Sequence, residues 1–359
     1  MTDARVALIL HAYQPPTIGD PEIGHVVRGV YQPLVALHRR LGAPLTLNIQ
    51  GCLLDRLPAL APAFLSQLRS MIDAGLLDIT TSGHYHPLLP LLPRPSRQRQ
   101  IARNTETITR LLHVTPSGFW PPELAWSPVL AEELAARRIG WTVVDGASLL
   151  GAWANDGDRA GSRDPLYLSE ELERPYRLAG AAGIVAFPRH HRLSDLLFEG
   201  ATLLDAARVE AFLLELGGRR RGLVCLAADA ERVGGSALRG YEVLLRGLLQ
   251  PGRLTTPRAM ADGAAIEEEV SLPIATWRGD LAQWVRGEGE RSFLGELDDA
   301  RRRFAALTIS ARETPLATEA GDHLMRAESS CWLYWRVPAW FLEQGFALVT
   351  EAHRLMDRM

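Results

Sequence analysis

Cysteine is scarce in this 359-residue chain: Cys52, Cys225 and Cys331 lie far apart, with no CxxC pair. That excludes a disulfide framework and a thiolate zinc site, and it suits a reducing compartment. Lysine is missing altogether, so the 39 basic residues are all arginine, a trait of composition rather than of function. Long apolar runs are missing too. Val6 to Leu10 is too short for a signal-peptide core or a membrane span, so the expected location is the cytoplasm. Net charge is only −3 and the charges are spread along the chain, which predicts neither a nucleic-acid nor a membrane partner. There is no GxGxxG, P-loop or GxSxG, so no phosphate cradle or serine nucleophile is expected, and there is no helical HExxH. Internal repeats and low-complexity tracts are also absent.

What is present is an ordinary globular composition, 47% apolar, sufficient for one large or two modest domains. Short apolar runs at Val6–Leu10, Pro44–Ile49, Leu77–Thr81, Pro116–Trp120, Trp141–Val144, Ile184–Phe187 and Leu223–Ala227 predict strands. Helical spacing falls between them, at Val26–Leu41, Pro58–Ala74, Arg97–Leu112, Val129–Arg138 and Leu203–Leu216. About seven such alternations argue for a parallel sheet with helices outside, in one domain over residues 1–280. Residues 151–180, rich in Gly, Asp and Arg, read as an insertion with little core of its own, expected to border the site. From residue 281 to 359 the pattern turns helical, with tryptophans at 332, 335 and 340.

The polar residues His11, His84, His86, Glu123, Arg189 and Asp229 nearly all follow strand runs, and one rim of a parallel barrel collects such positions. The stretch Gly118-Phe119-Trp120-Pro121-Pro122-Glu123-Leu124-Ala125-Trp126 is central. It presents one carboxylate between two indoles where a strand hands over to a helix that starts at Ser127-Pro128. Indole faces stack on sugar rings, and carboxylates act on glycosidic bonds. Asp229 is the second such carboxylate. A retaining glycosidase needs the pair about 5–5.5 Å apart and an inverting one about 6.5–9.5 Å. Glu231 reads as a sugar-hydroxyl ligand. His84 and His86, at i and i+2, should share one face of an extended segment and hold hydroxyls. With His11 and Asp229 they could instead hold zinc in a hydrolase or deacetylase. Trp284, before Gly287-Glu288-Gly289, and Trp332 are candidates for the cleft wall.

Taken in order, these segments resemble glycoside hydrolase family 57. His11-Ala12-Tyr13-Gln14-Pro15 is similar to the family's first motif, and Gly83-His84-Tyr85-His86-Pro87-Leu88-Leu89-Pro90 to its second. Phe119-Trp120-Pro121-Pro122-Glu123 looks like the third, whose Glu is the nucleophile. Asp229-Ala230-Glu231 looks like the fourth, whose Asp is the acid/base. Trp284 is a candidate for the fifth, and Glu328-Ser329-Ser330-Cys331-Trp332 is similar to a segment of amylase-type members. The chain departs from the family at His86, often a Glu, at Arg232 to Gly235, and at Cys331, usually an Asp. The resemblance implies an incomplete seven-stranded (β/α) barrel with a C-terminal α-helical region. It also implies retaining chemistry on α-glucans or maltooligosaccharides, by amylase or 4-α-glucanotransferase action, with no metal or other cofactor. His11, Gln14, His84 and His86 would then hold the sugar at the cleavage point. The alternatives are a metal-dependent carbohydrate hydrolase or deacetylase, and a glucan-binding protein without turnover.

Overall fold

A computed structural model describes residues 4–154, 170–181, 183–198, 205–217, 222–249, 252–263, 266–334 and 338–359. Among these residues ten strands share one sheet: β1 (Arg5–Ala12), β2 (Leu45–Ile49), β3 (Leu77–Thr81), β4 (Gly118–Phe119), β5 (Trp141–Asp145), β6 (Tyr176–Leu178), β7 (Val185–Arg189), β8 (Leu223–Asp229), β9 (Leu254–Thr255) and β10 (Glu269–Val270). Seven of them run parallel in the order β7-β5-β4-β3-β2-β1-β8 and curl into an incomplete barrel. At the seam between β7 and β8 the His190 N–H donates to the Cys225 carbonyl at 2.8 Å, and Arg189 Nε to the Ala227 carbonyl at 3.0 Å.

Both faces of these strands are buried, which is why their sequences are unbroken apolar runs. In β1, Val6, Leu8 and Leu10 pack outward on the helices, while Ala7 and Ile9 face the barrel interior. That interior sets large rings, Trp141, Phe187 and Trp120, against small Ala7, Cys225 and Ala227. Burying a ring such as Phe187 contributes roughly 1.5–3 kcal/mol. Gly118 makes room for Trp141: a Cβ there would lie 2.2 Å from the indole.

Two of the expected elements differ in detail. The helix expected from Pro58 breaks into Leu57–Leu60 and Pro62–Asp73, because Pro62 has no N–H to continue the first ladder. The stretch 151–180 is not a coreless insertion throughout. Leu172, Tyr176 and Leu178 are buried in the core, and β6 pairs antiparallel with β7; residues 155–169 lie outside the described residues. Beyond the barrel, helices Glu288–Ala305, Pro315–Ala327 and Trp340–Met356 share a core of their own around Phe293, Leu324 and Val349. Leu88 and Ala125 of the barrel rim enter that core and dock the helices over the C-terminal ends of the strands.

Candidate active site

A cavity of about 480 Å³ opens between the strand ends and the C-terminal helices. His11, His86, Trp120, Glu123, Arg189, Asp229 and Glu231 all line it.

Glu123 arrives by an unusual backbone. After Pro121 and Pro122 the chain turns left-handed at both Glu123 (φ 57°) and Leu124 (φ 46°), a region ordinary side chains avoid. The Trp277 N–H to Glu123 carbonyl bond, 3.1 Å, fixes the turn. Both carboxylate oxygens then accept a hydrogen bond. Trp277 Nε1 donates to Oε2 at 2.8 Å and Ser330 Oγ to Oε1 at 2.9 Å. Burial pushes the Glu123 carboxyl up to about 7; the Trp277 and Ser330 donors oppose that shift and the Asp229 charge adds to it.

The histidines are held in defined tautomers by their partners. Asn48 Nδ2 donates to Thr80 Oγ1 at 3.0 Å, so Asn48 Oδ1 faces His11 Nδ1, 2.7 Å away, and accepts its proton. The Ser330 hydroxyl proton goes to Glu123, so Ser330 Oγ accepts from His86 Nδ1 at 2.9 Å. A relay His86–Ser330–Glu123 results, and each imidazole keeps Nε2 as a bare acceptor. Burial holds both pKa values down, against the pull of Asp229 on His11 and with the help of His11 at His86. The rings stack: His11 lies 4.8 Å from His86 and 5.0 Å from Trp120, and Tyr13 lies 4.3 Å from His86.

Asp229 pairs in register with His11 across β8 and β1, and it stands exposed at the strand end. Glu231, one residue past Ala230, accepts from Gln14 Nε2 at 2.8 Å and from the Tyr31 hydroxyl. Glu231 is an exposed residue whose carboxyl end is desolvated, and this, opposed by the Tyr31 bond, pushes the carboxyl up to about 7. Arg189 is tethered to Asp195 at 2.6 Å.

Five expected site residues fall elsewhere. Trp126 is buried on the outer side of the sheet beside Leu130 and Val144. Trp284 and Trp332 are buried in the helical core; the first donates to Thr276 Oγ1 at 3.2 Å and the second to the Arg326 carbonyl at 2.9 Å. Trp284 thus braces the turn that carries Trp277 and does not border the cleft. His84 does not share a face with His86. The segment turns at His84-Tyr85, and His86 is left-handed (φ 57°), so the alternation of an extended strand is lost. His84 and Gln14 line a second cavity instead.

Trp277, Tyr13, Cys331, Tyr334 and Phe341 line the cleft without having been singled out as ligands. For Trp277 a signal existed: an indole in the tight Thr276-Trp277-Arg278-Gly279-Asp280 turn, where Gly279 takes φ 97°. Among the described residues, the one cluster of metal-ligand type is Glu319, His323 and Glu351, on the C-terminal helices. The set His11, His84, His86 and Asp229 is not gathered, because His84 faces the other cavity. No described helix is long and apolar enough to cross a membrane.

Comparison with known proteins gives a consistent result. An α-amylase of Dictyoglomus thermophilum is 29% identical over 48% of this chain and 24% of its own length. A 4-α-glucanotransferase of Thermococcus litoralis is 30% identical over 42% of this chain and 21% of its own. The match thus spans about a quarter of each curated relative. A solved branching enzyme of Thermococcus kodakaraensis superposes over 98% of this chain and 90% of its own, with a TM-score of 0.77 at 16% identity, which speaks to fold. The sequence model of glycosyl hydrolase family 57 matches residues 28–250, well over half of the chain, and it is to this family of glycoside hydrolases and transferases that the protein belongs.

Proposed function

We propose that the protein is a retaining α-glucan-active enzyme. Glu123 would attack the anomeric carbon as the bond to the leaving oxygen breaks, and Asp229 would give that oxygen its proton. Asp229, now a carboxylate, would then take a proton from the acceptor hydroxyl as the acceptor oxygen displaces Glu123. Water as acceptor gives hydrolysis; a glucan hydroxyl gives 4-α-glucanotransferase-type transfer. The observation that carries this reading is the double hydrogen bond at Glu123. Two donors from outside the barrel hold an otherwise buried carboxylate in the same cavity as Asp229. Donors aimed at both oxygens favour the ionised form, which is the nucleophilic one. Nε2 of His11 and of His86 would accept from sugar hydroxyls, and the Trp120 and Trp277 faces would stack on the ring.

The test assigns both carboxylates by product anomer. Asp229→Asn should form the glycosyl-enzyme from an aryl α-glycoside, whose leaving group needs little protonation, and then stall. Azide needs no base and should rescue it as the α-glycosyl azide. Azide added to Glu123→Ala should attack the substrate directly and give the β-anomer. Exchanged anomers would reverse the roles, and near-normal activity of either variant on maltooligosaccharides would remove its carboxylate from the mechanism.

A further inference from the structure

The two motif residues that miss the cleft, Gln14 and His84, meet in a second cavity of about 360 Å³ behind the Gln14-Pro15 corner. Pro15 lines both cavities, and Gln14 connects them, since its amide donates to Glu231 at 2.8 Å. One wall is apolar, made by Pro16, Ile18 and Ile23. Beside Cys52 and Tyr85, the rest is built of planar polar groups: Gln14, Asp55, His84 and three arginines. His84 is fully buried, with Nε2 3.3 Å from Asp55 Oδ2, and burial lowers its pKa, so it stands as a neutral imidazole. Arg103 and Arg326 lie 5.2 and 5.8 Å from the Tyr85 ring centroid, which fixes their forks at the cavity edge.

The volume is at the small end of the range for ligand sites, roughly 300–1,000 Å³. The charge balance decides the class of ligand. Arg56 pairs with Asp20, Arg103 and Arg326 with Asp322, and Arg110 with Asp55. Each guanidinium already faces a carboxylate, although Arg103 and Arg326 share one, so an anion would compete with fixed carboxylates for the same N–H groups. A neutral hydroxylated ring need not. Its hydroxyls can accept from guanidinium N–H groups and donate to Asp55 while its C–H face lies on the prolines and isoleucines.

We propose that this cavity is a second saccharide site, taking one or two glucose units of a maltooligosaccharide outside the catalytic cleft. The inference rests on the α-glucan reading for the identity of its sugar. The experiment is equilibrium dialysis of labelled maltose against Glu123→Gln protein, which cannot turn the sugar over. Ile18→Trp in that background fills the cavity from its apolar wall and should bind one maltose fewer per chain. Asp55→Asn, which keeps the shape, should weaken the same site at least fivefold, and it serves if Ile18→Trp does not fold. Equal maltose counts and affinities in all folded variants would overturn the proposal. So would phosphate binding that is lost on filling the cavity while maltose binding is not. Failure of the α-glucan reading looks different: no product from any α-glucan with the wild-type chain, whatever the maltose count.

Discussion

Replacing Glu123 by Gln should stabilise the protein, and the gain should depend on pH. The carboxyl is held up to about 7 by burial, against the ordinary glutamate value of 4.5. Between those values the folded state binds more protons than the unfolded state, so wild-type stability falls as pH rises across that window. The side chain is only 16% exposed, so solvent screens little of this cost. The difference between 4.5 and about 7 corresponds to about 3 kcal/mol at pH 8. Gln has nearly the same volume, can still accept from Trp277 or Ser330, and carries no charge to bury. Below pH 4.5 the two proteins should therefore be equally stable. Through pH 4.5–7 the variant should pull ahead, and above pH 7 the gap should level off near 3 kcal/mol. Urea unfolding of both proteins at pH 4, 6 and 8 measures it, with the slope m checked for equality. A gap that is absent at pH 8, or largest at pH 4, would refute the claim that burial dominates over the two donors.

Ser330→Ala removes one donor from the ionised Glu123, so the acid limb of kcat/KM should move up by about one unit, roughly 1.4 kcal/mol; Trp277→Phe should shift it the same way, and an unmoved limb in both would show that Glu123 does not set it. Exhaustive chelation should leave activity and melting temperature unchanged, and a loss restored by zinc would overturn the glycosidase reading. Gly118→Ala drives a methyl into the Trp141 indole and should cost about 1–3 kcal/mol in urea unfolding; a neutral effect would mean that the indole can move aside.

The barrel was legible because each of its parallel strands is buried on both faces and so reads as an apolar run; β4, a two-residue pair, shows up through its flanking motif. Strands β6, β9 and β10 span three residues or fewer and leave no periodicity to read. Glu123 was legible from its setting between prolines and indoles. Its two donors were not, because Trp277 and Ser330 lie 154 and 207 residues away, and no local pattern encodes such a contact. Composition could not separate the tryptophans either. An indole that stacks on sugar and one that braces a turn, as Trp284 does, look alike until the helices are docked. The histidine pair misled for a local reason: alternation holds only in an extended segment, and a left-handed residue at position 86 ends it.

The long reach from Glu123 to Ser330 also has a meaning in time. Glu123 and Asp229 leave the ribosome before Trp277 and Ser330 do. At roughly 5–20 residues per second the wait from Glu123 to Ser330, 207 residues, is some tens of seconds. During synthesis the barrel can close around its strands while Glu123 still lacks the two donors that oppose its burial. Until the C-terminal helices dock, Glu123 therefore has neither the far wall of its cavity nor its two donors. Catalytic competence would arrive late and as one event, when the C-terminal helices settle on the rim.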